Sequence, residues 1–568
     1  MKTDNELLHS EIEPLIDNFH KGFPVFNRDR DVALMHLLRC FEDRARFRTA
    51  KALFEYGEVE FFTALQNAQD SLVWATRWIW DECPRLAIKS LQLDWDVYGE
   101  AANLFLHSSD YYHLYRCIVL CRRGLFEVSV SSTEKKVKFD FRSEEEKRRD
   151  AARQLRETTQ DATIAPSIAL RSFLDTWQPL VRELFPSWIE NIDQHSIRYT
   201  IPAQIAWVFA RWAGLQVRQG AFDLPRTWRF GDYSLDEFRS FWKSLLAAAL
   251  THSFAHMLGD NVVGTTGLTV GSVVMHFSRE ELEATCNKFP LPLDVRRAII
   301  RDLSYDPMPE MGYWDPIWQP LFKLSEDSFL VSPSLITGSS AERNLITLLN
   351  KIPRTRQIYH QLSLEKENEQ LSELKKLFAA DRFASRSRLN VKRKDGSTLS
   401  DADLILFDKQ EGFALIVQVK WLIRPDYVTE VAARDQEIAK ALKTTRDVVD
   451  RVRELGSGWL ERVVEHVPTN APMRIEGLLV NRDFLPSGWV NDEDVPVVDM
   501  AFLENFINSD GFTGLHSLYH AALRFDKTLI SQHAAKDTTI VIALGGYTFE
   551  CPGMEPLDNE SGYGKSGF

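Results

Sequence analysis

The sequence predicts a multi-domain protein: a mainly α-helical N-terminal region followed by a C-terminal α/β domain with a central mixed sheet. Three observations carry that expectation. The 568 residues, 44% of them hydrophobic, suffice for two to four domains at ~150 residues each. Apolar residues recur at spacings of three and four through the first 260 residues, as along Val32, Met35, Leu38 and Phe41. In the last third, helical and alternating patterns take turns, the order that builds an α/β sheet.

Residues 1–130 read as stacked amphipathic helices. Phe61, Leu65, Leu72 and Val73 mark one of them, and Trp74, Trp78, Trp80 and Trp95 are expected in aromatic helix cores. No repeat of fixed period emerges, so a named helical solenoid is not expected. Residues 131–260 read as a second helical region. Across its start, residues 128–141 alternate like a short hairpin or linker, and a helical block spans about 165–258. Residues 261–344 read as a mixed α/β connector. Within it, 264–276 is β-branched and Gly-punctuated, so strands are expected, and Ser278 with Glu281 matches a capping box. Pro-rich punctuation from Pro307 to Pro333 precedes the α/β domain, placed at 345–525. That domain is expected to hold a helix at 363–380, with Leu371, Leu374 and Phe378 on one face. Strands at 404–407 and 413–421, a helix at 427–455, strands at 473–481 and 495–499, and a helix from Ala501 follow. Residues 526–568 are expected as a tail, Gly-rich after Gly545 and loose at its end.

A net charge of −13 argues against coating nucleic acid through bulk positive charge. Residues 351–460 reverse the local balance, with 21 Lys and Arg against 17 Asp and Glu, which makes them the place for any nucleic-acid contact. The opening Met1-Lys-Thr-Asp-Asn-Glu has no apolar core for a signal peptide. The uncharged stretch 244–259 is shorter than the ~18–20 residues of a membrane span. Six cysteines are too few for a disulfide framework, and Cys117 and Cys121 lack a second pair to complete a zinc site. A cytoplasmic protein without a membrane partner is expected.

The chemistry concentrates between Asp401 and Trp421. Alternation places Phe413, Leu415, Val417, Val419 and Trp421 on one strand face, and Ala414, Ile416, Gln418 and Lys420 on the other. A turn from Asp408 to Gly412 closes a hairpin that sets Asp403 opposite Val417 or Gln418. A carboxylate, an amide and an ammonium thus converge on a strand expected to be buried. One account is an ion pair of Lys420 with Asp403 or Asp401. The other is a metal site: Asp403 and Gln418 bind a hard cation through oxygen, and Lys420 orients or helps deprotonate an attacking water. In phosphodiester hydrolysis Lys420 also stabilises the developing charge.

The order helix, strand, turn, strand, helix, with Asp403 and then Gln418-Val-Lys420, resembles the PD-(D/E)xK nuclease superfamily. Within it, the chain looks most like the Mrr-type restriction nucleases, where Gln replaces the acidic residue of the second motif. The resemblance covers about residues 345–525. It implies a restriction-endonuclease-like fold and Mg²⁺-dependent cleavage of nucleic acid, DNA favoured, with Mn²⁺ as a substitute and antiphage restriction as the natural role. It also implies a Glu on the helix before the first strand, for which Glu365, Glu367 and Glu369 compete. Glu367 lies four, seven and eleven residues before Leu371, Leu374 and Phe378, on the same helical face, and is therefore chosen. The resemblance thus assigns Asp403, Gln418 and Glu367 to the metal and adds Lys420 for catalysis. The uncharged Gln418 is expected to weaken metal affinity. The Gln-x-x-x-Tyr motif of RecB-type exonucleases is missing, since Lys440 stands four residues after Gln436, so endonuclease action is expected. Arg382, Arg386, Arg388, Lys392, Arg393 and Lys394 run without an acidic residue among them. They read either as a phosphate track or as a solvated loop.

Other candidates carry less. His252 with His256, and His516 with His520, have metal-compatible spacing but lack the Glu of His-Glu-x-x-His, and read as core or surface histidines. No Gly-x-x-x-x-Gly-Lys-[Ser/Thr] or Gly-x-Ser-x-Gly motif is present. The leading expectation is a metal-dependent DNA endonuclease whose helical region senses, recruits a protein partner or self-associates. The alternative is a catalytically degenerate nuclease fold acting as a nucleic-acid-binding or assembly scaffold. A purely helical interaction protein would require the Asp403, Gln418 and Lys420 cluster to be coincidence.

Overall fold

The computed structural model describes residues 3–54, 58–86, 90–152, 168–192, 196–219, 224, 228–263, 270–306, 315–325, 327–423, 425, 428–464, 473–482, 486, 490, 492–532 and 535–556. They fall into two compact units. Among the described residues no helix is long and apolar enough to cross a membrane.

The first unit gathers residues 1–116, 158–359 and 542–548. It is mainly helical, with Arg30–Phe54, Glu58–Glu82, Ile168–Trp188, Ala203–Gln219, Leu235–Val263 and Leu293–Leu303 among its helices. Trp74 and Trp78 pack their rings against Tyr111, 4.9 and 5.0 Å between centroids, as expected of an aromatic core. Trp95 departs from that expectation, lying about half exposed at the start of its helix. The helical block expected at 165–258 is interrupted by a hairpin of Ile189–Ile192 and Ile197–Tyr199. Of the strands expected at 264–276, residues 264–269 lie outside the described residues. The strand found is Met275–Ser278, paired with Ser328–Val331. The capping box forms as read: the Ser278 hydroxyl accepts from the Glu281 N–H, and the Glu281 carboxylate accepts from the Ser278 N–H at 2.7 Å.

The second unit gathers residues 117–157, 360–541 and 549–568. A smaller sheet, formed largely from residues of this unit, has the order Phe126–Ser131, Lys136–Phe141, Tyr547–Pro556, Ala535–Leu544. The segment expected as a tail is therefore structured as far as Pro556. Its two strands meet at Gly545 and Gly546, whose φ values of 60° and 80° make the tight turn that only glycine adopts without strain.

The central sheet of this unit follows helix α1 (Pro353–Leu377) and comprises β1 (Phe383–Lys392), β2 (Thr398–Asp408) and β3 (Phe413–Lys420). Helix α2 (Val428–Leu455) then leads to β4 (Arg474–Asn481), β5 (Val497–Asp499), α3 (Met500–Ile507) and α4 (Leu515–Leu523). The strands lie in the order β5-β4-β3-β2-β1; β2 runs antiparallel to both neighbours, and β3, β4 and β5 are parallel. The sheet is mixed, as expected. Alternation along β2 and β3 gives it two apolar faces. Leu404, Leu406, Leu415, Val417 and Val419 pack with Leu371, Leu374 and Phe378 of α1. Ile405, Phe407, Ala414 and Ile416 pack with Val448, Val449 and Val452 of α2. Of the basic run that reads as a track or a loop, Arg386, Arg388 and Lys392 lie on an edge strand, β1, while Arg382, Arg393 and Lys394 flank it. With only Ala384 and Val391 buried along it, its alternation is nearly invisible in sequence.

Candidate active site

Pairing of Leu404 with Val417 across the β2–β3 hairpin puts Asp403 opposite Gln418, one of the two positions expected. The Asp403 Oδ2 accepts from the Val419 N–H at 2.8 Å and from the Gln418 Nε2. The amide thus turns its nitrogen toward the carboxylate, which leaves its oxygen for another partner. Among the described residues no donor engages the Asp403 Oδ1. Burial pushes the Asp403 carboxyl up to about 6, against the pull of the Val419 N–H and the Lys420 charge; the charges of Asp401 and Glu367 add to the rise.

Lys420, at the end of β3, pairs with Glu367 rather than with Asp403 or Asp401; its Nζ lies 3.9 Å from Glu367 Oε1. Glu367 approaches because α1 lays its Leu371, Leu374 and Phe378 stripe on the sheet, carrying the residue one turn earlier to the strand end. Its rivals do other things. Glu365 is exposed, and Glu369 pairs with the buried Lys366 of its own helix. Just beyond Lys420 the chain is held by a residue the sequence reading did not single out. The Asn481 side chain, fully buried and in register with Lys420 on β4, accepts the Leu422 N–H at 3.1 Å. A lone Asn at the end of an apolar strand gives little local sign of that task.

Asp403, Gln418, Lys420 and Glu367 are thus together at one end of the sheet. The donor set is all oxygen, two carboxylates and an amide, with an unengaged carboxylate oxygen whose ionised form is short of positive charge. That chemistry fits a hard, partly hydrated cation such as Mg²⁺. Among the described residues no group of three or more His, Cys, Asp and Glu is placed to hold a metal. The third protein ligand here would be the Gln418 amide.

The basic residues divide. Arg382 belongs to the other end of the hairpin, where its guanidinium grips Asp408 through two bonds of 2.8 and 2.6 Å and donates to the Thr513 carbonyl. It is engaged in packing and not presented to a ligand. Arg393 donates to the Thr398 carbonyl, and Lys394 pairs with Glu454 at 3.1 Å. Arg386, Arg388 and Lys392 stand exposed on β1, with no side-chain partner among the described residues. The histidine pairs also divide. His252 uses both ring nitrogens, on the Tyr199 hydroxyl at 2.7 Å and the Ser272 carbonyl at 2.8 Å, and so is structural. His516 and His520 sit on the surface of α4 with their Nε2 atoms 3.0 Å apart. All six cysteines are free and buried, and burial pushes the Cys83 and Cys121 thiols up to about 12. No protein-family description, curated protein or solved structure matches this chain.

Proposed function

We propose that the sheet domain is a metal-dependent nuclease that hydrolyses phosphodiester bonds in DNA, by endonucleolytic cleavage. The observation that carries the reading is the convergence of Asp403, Gln418, Lys420 and Glu367 at one end of a mixed sheet, around a carboxyl that burial raises to about 6 despite the Val419 N–H and the Lys420 charge. Asp403, Gln418 and Glu367 would hold Mg²⁺ or Mn²⁺, which supplies Lewis-acid polarisation of the scissile phosphate when bound. Lys420 places a positive charge where negative charge grows on the phosphate oxygens, and Glu367 keeps that ammonium in position. The exposed Arg386, Arg388 and Lys392 neutralise the DNA backbone without reading sequence. The helical unit takes the part of sensor, partner-recruiting or self-association module, in a cytoplasmic protein serving antiphage restriction.

The test is plasmid cleavage by wild type and Lys420→Ala, side by side, with Mg²⁺, Mn²⁺ or EDTA. Wild type is expected to nick or linearise only with metal, and the variant to lose at least about a hundredfold in rate with its melting temperature unchanged. Cleavage retained by Lys420→Ala, in a preparation free of other nucleases, overturns the assignment. A second reading, a degenerate fold that binds nucleic acid without cutting, is favoured by the Gln418 amide that already satisfies one Asp403 oxygen. Calorimetry showing neither Mg²⁺ nor Mn²⁺ binding, with DNA binding intact, would select it.

A further inference from the structure

Next to Asp403 the edge of the sheet turns over. Ser387 of β1 faces α1, since Lys375 of that helix donates to its hydroxyl at 2.7 Å. Leu389, two residues on, packs instead with Val391 in the cluster that faces α2. Residues two apart on a strand normally share a face, so β1 changes face at Arg388. Its backbone is the cause: Arg388 has a φ of 51°, a left-handed conformation that an arginine adopts only under strain. The neighbouring strand β2 makes the same change. Leu404 packs on the α1 side and Ala402 on the α2 side, with Asp403 between them.

The two pivots stand side by side. Leu404 pairs with Ser387 and Ala402 with Leu389, so a single register runs past this point and sets Asp403 across from Arg388. Opposed residues of antiparallel strands have Cα atoms about 5 Å apart, which puts the carboxylate within reach of the arginine side chain. At the turn end of the hairpin an arginine so placed is structural, and Arg382 grips Asp408 through two bonds. Arg388 makes no such pair; it is exposed, with no side-chain partner among the described residues. Strain that no contact within the protein offsets points to a task toward a ligand.

We propose that Arg388 is a substrate-binding residue of the candidate site, its guanidinium holding the DNA phosphate that is cleaved at the Asp403 end of the hairpin. The strand order places Asp403 on β2, between Arg388 on β1 and Gln418 and Lys420 on β3. A phosphate drawn to a cation at Asp403 therefore has a guanidinium on one flank and an ammonium on the other. The planar fork of an arginine engages two phosphate oxygens at once and fixes their orientation, which the point charge of a lysine does not. The left-handed backbone belongs to this task, because it takes Arg388 out of the alternation that carries Arg386. The inference rests on the nuclease reading and separates Arg388 from the cations that only follow the DNA backbone.

The experiment compares the full-length wild type with Arg388→Gly and Arg388→Asn, which both accept a left-handed backbone, and with Arg388→Lys, which keeps the charge and loses the fork. Melting temperatures, Mg²⁺ and Mn²⁺ affinities by calorimetry, duplex DNA affinity, and the cleavage rate on saturating DNA are measured. Arg388→Gly and Arg388→Asn are expected to melt at the wild-type temperature or higher and to bind metal as wild type does. Their cleavage rate on saturating DNA is expected to fall about 100-fold, more than their DNA affinity does, and Arg388→Lys to recover only part of it. A wild-type rate on saturating DNA in Arg388→Gly and Arg388→Asn, with only affinity reduced, overturns the proposal and returns Arg388 to the backbone track. Lower melting temperatures for both variants, or weaker metal binding, also overturn it, because the arginine would then support the fold or the metal ligands. A wild type that binds no metal or cuts no DNA removes the nuclease reading, and this inference with it. The two failures are therefore distinguishable.

Discussion

Asp403 and Asp408 stand five residues apart on one strand, at opposite ends of the same hairpin, and the protein treats their charges in opposite ways. At the turn end, Asp408 is fully buried, and burial works against its ionisation. The two bonds from Arg382 and the N–H groups of Gln410, Leu515 and Glu411 outweigh that and hold its carboxyl below the ordinary value. At the open end, Asp403 has one oxygen shared between two neutral donors and the other unengaged, and its carboxyl is pushed up instead. A structural carboxylate is recognisable by completeness: its lone pairs are filled and its charge is matched by an adjacent cation. A partly buried carboxylate left incomplete implies that something else is meant to complete it.

The largest expected effect sharpens that contrast. Asp403→Asn should abolish metal-dependent cleavage, at least a hundredfold, yet leave the metal-free melting temperature unchanged or higher. The single Asn oxygen can accept both N–H groups that Oδ2 accepts now, and no buried charge remains to be stabilised. Asp408→Ala should do the reverse. It leaves Arg382 without its carboxylate and costs about 3–5 kcal/mol in denaturant unfolding, while the folded fraction keeps its metal affinity. A destabilised Asp403→Asn, or an Asp408→Ala that loses only metal binding, would break the comparison.

Acid should separate the two ends more gently. A carboxyl held below its unfolded value contributes stability that is fully present above that value, 3.8 for Asp408, and is lost as pH falls through the depressed folded value. The stability difference between wild type and Asp408→Asn is therefore expected to be constant from pH 7 to about 5 and to shrink below 3.8. Urea midpoints taken across that range check it. A difference that grows toward low pH would show that Arg382 does not hold Asp408 ionised.

Much of this end of the molecule was legible because its signals are local. The turn from Asp408 to Gly412 and the alternation of β3 set Asp403 against Gln418, and the helical period of α1 selected Glu367 over its neighbours. Less legible features depend on distant partners. The β1 edge strand buries too few residues to show its alternation. The strands Ala535–Leu544 and Tyr547–Pro556 join a sheet whose other members lie some four hundred residues earlier, so no window of sequence reveals them. Arg382 looked like part of a basic run because its carboxylate lies 26 residues away. The buried Gln370 sits in the polar stretch Glu-Lys-Glu-Asn-Glu-Gln, where nothing but the packed structure sets it apart from exposed neighbours such as Glu365 and Asn368.

The smallest expected effect concerns the cations. Arg386, Arg388 and Lys392 are exposed on the edge strand next to the one that carries Asp403, whereas Arg382 is spent on Asp408. If the first three track a DNA backbone, each contact should contribute about one unit to the slope of log affinity against log salt. Arg386→Ala and Lys392→Ala should then weaken binding a few-fold, equally for unrelated sequences, and lower that slope by about one apiece. They should leave the melting temperature alone, because neither side chain has a protein partner among the described residues to lose. Arg382→Ala should show the opposite pattern, with an unchanged slope and a marked loss of stability. The arginine has little left to give a phosphate, but its removal strands a buried carboxylate. Salt titrations of the three variants on one duplex, with melting curves beside them, are enough. An Arg382→Ala slope that drops while that of Arg386→Ala holds would move the nucleic-acid face to the turn end of the hairpin, away from Asp403.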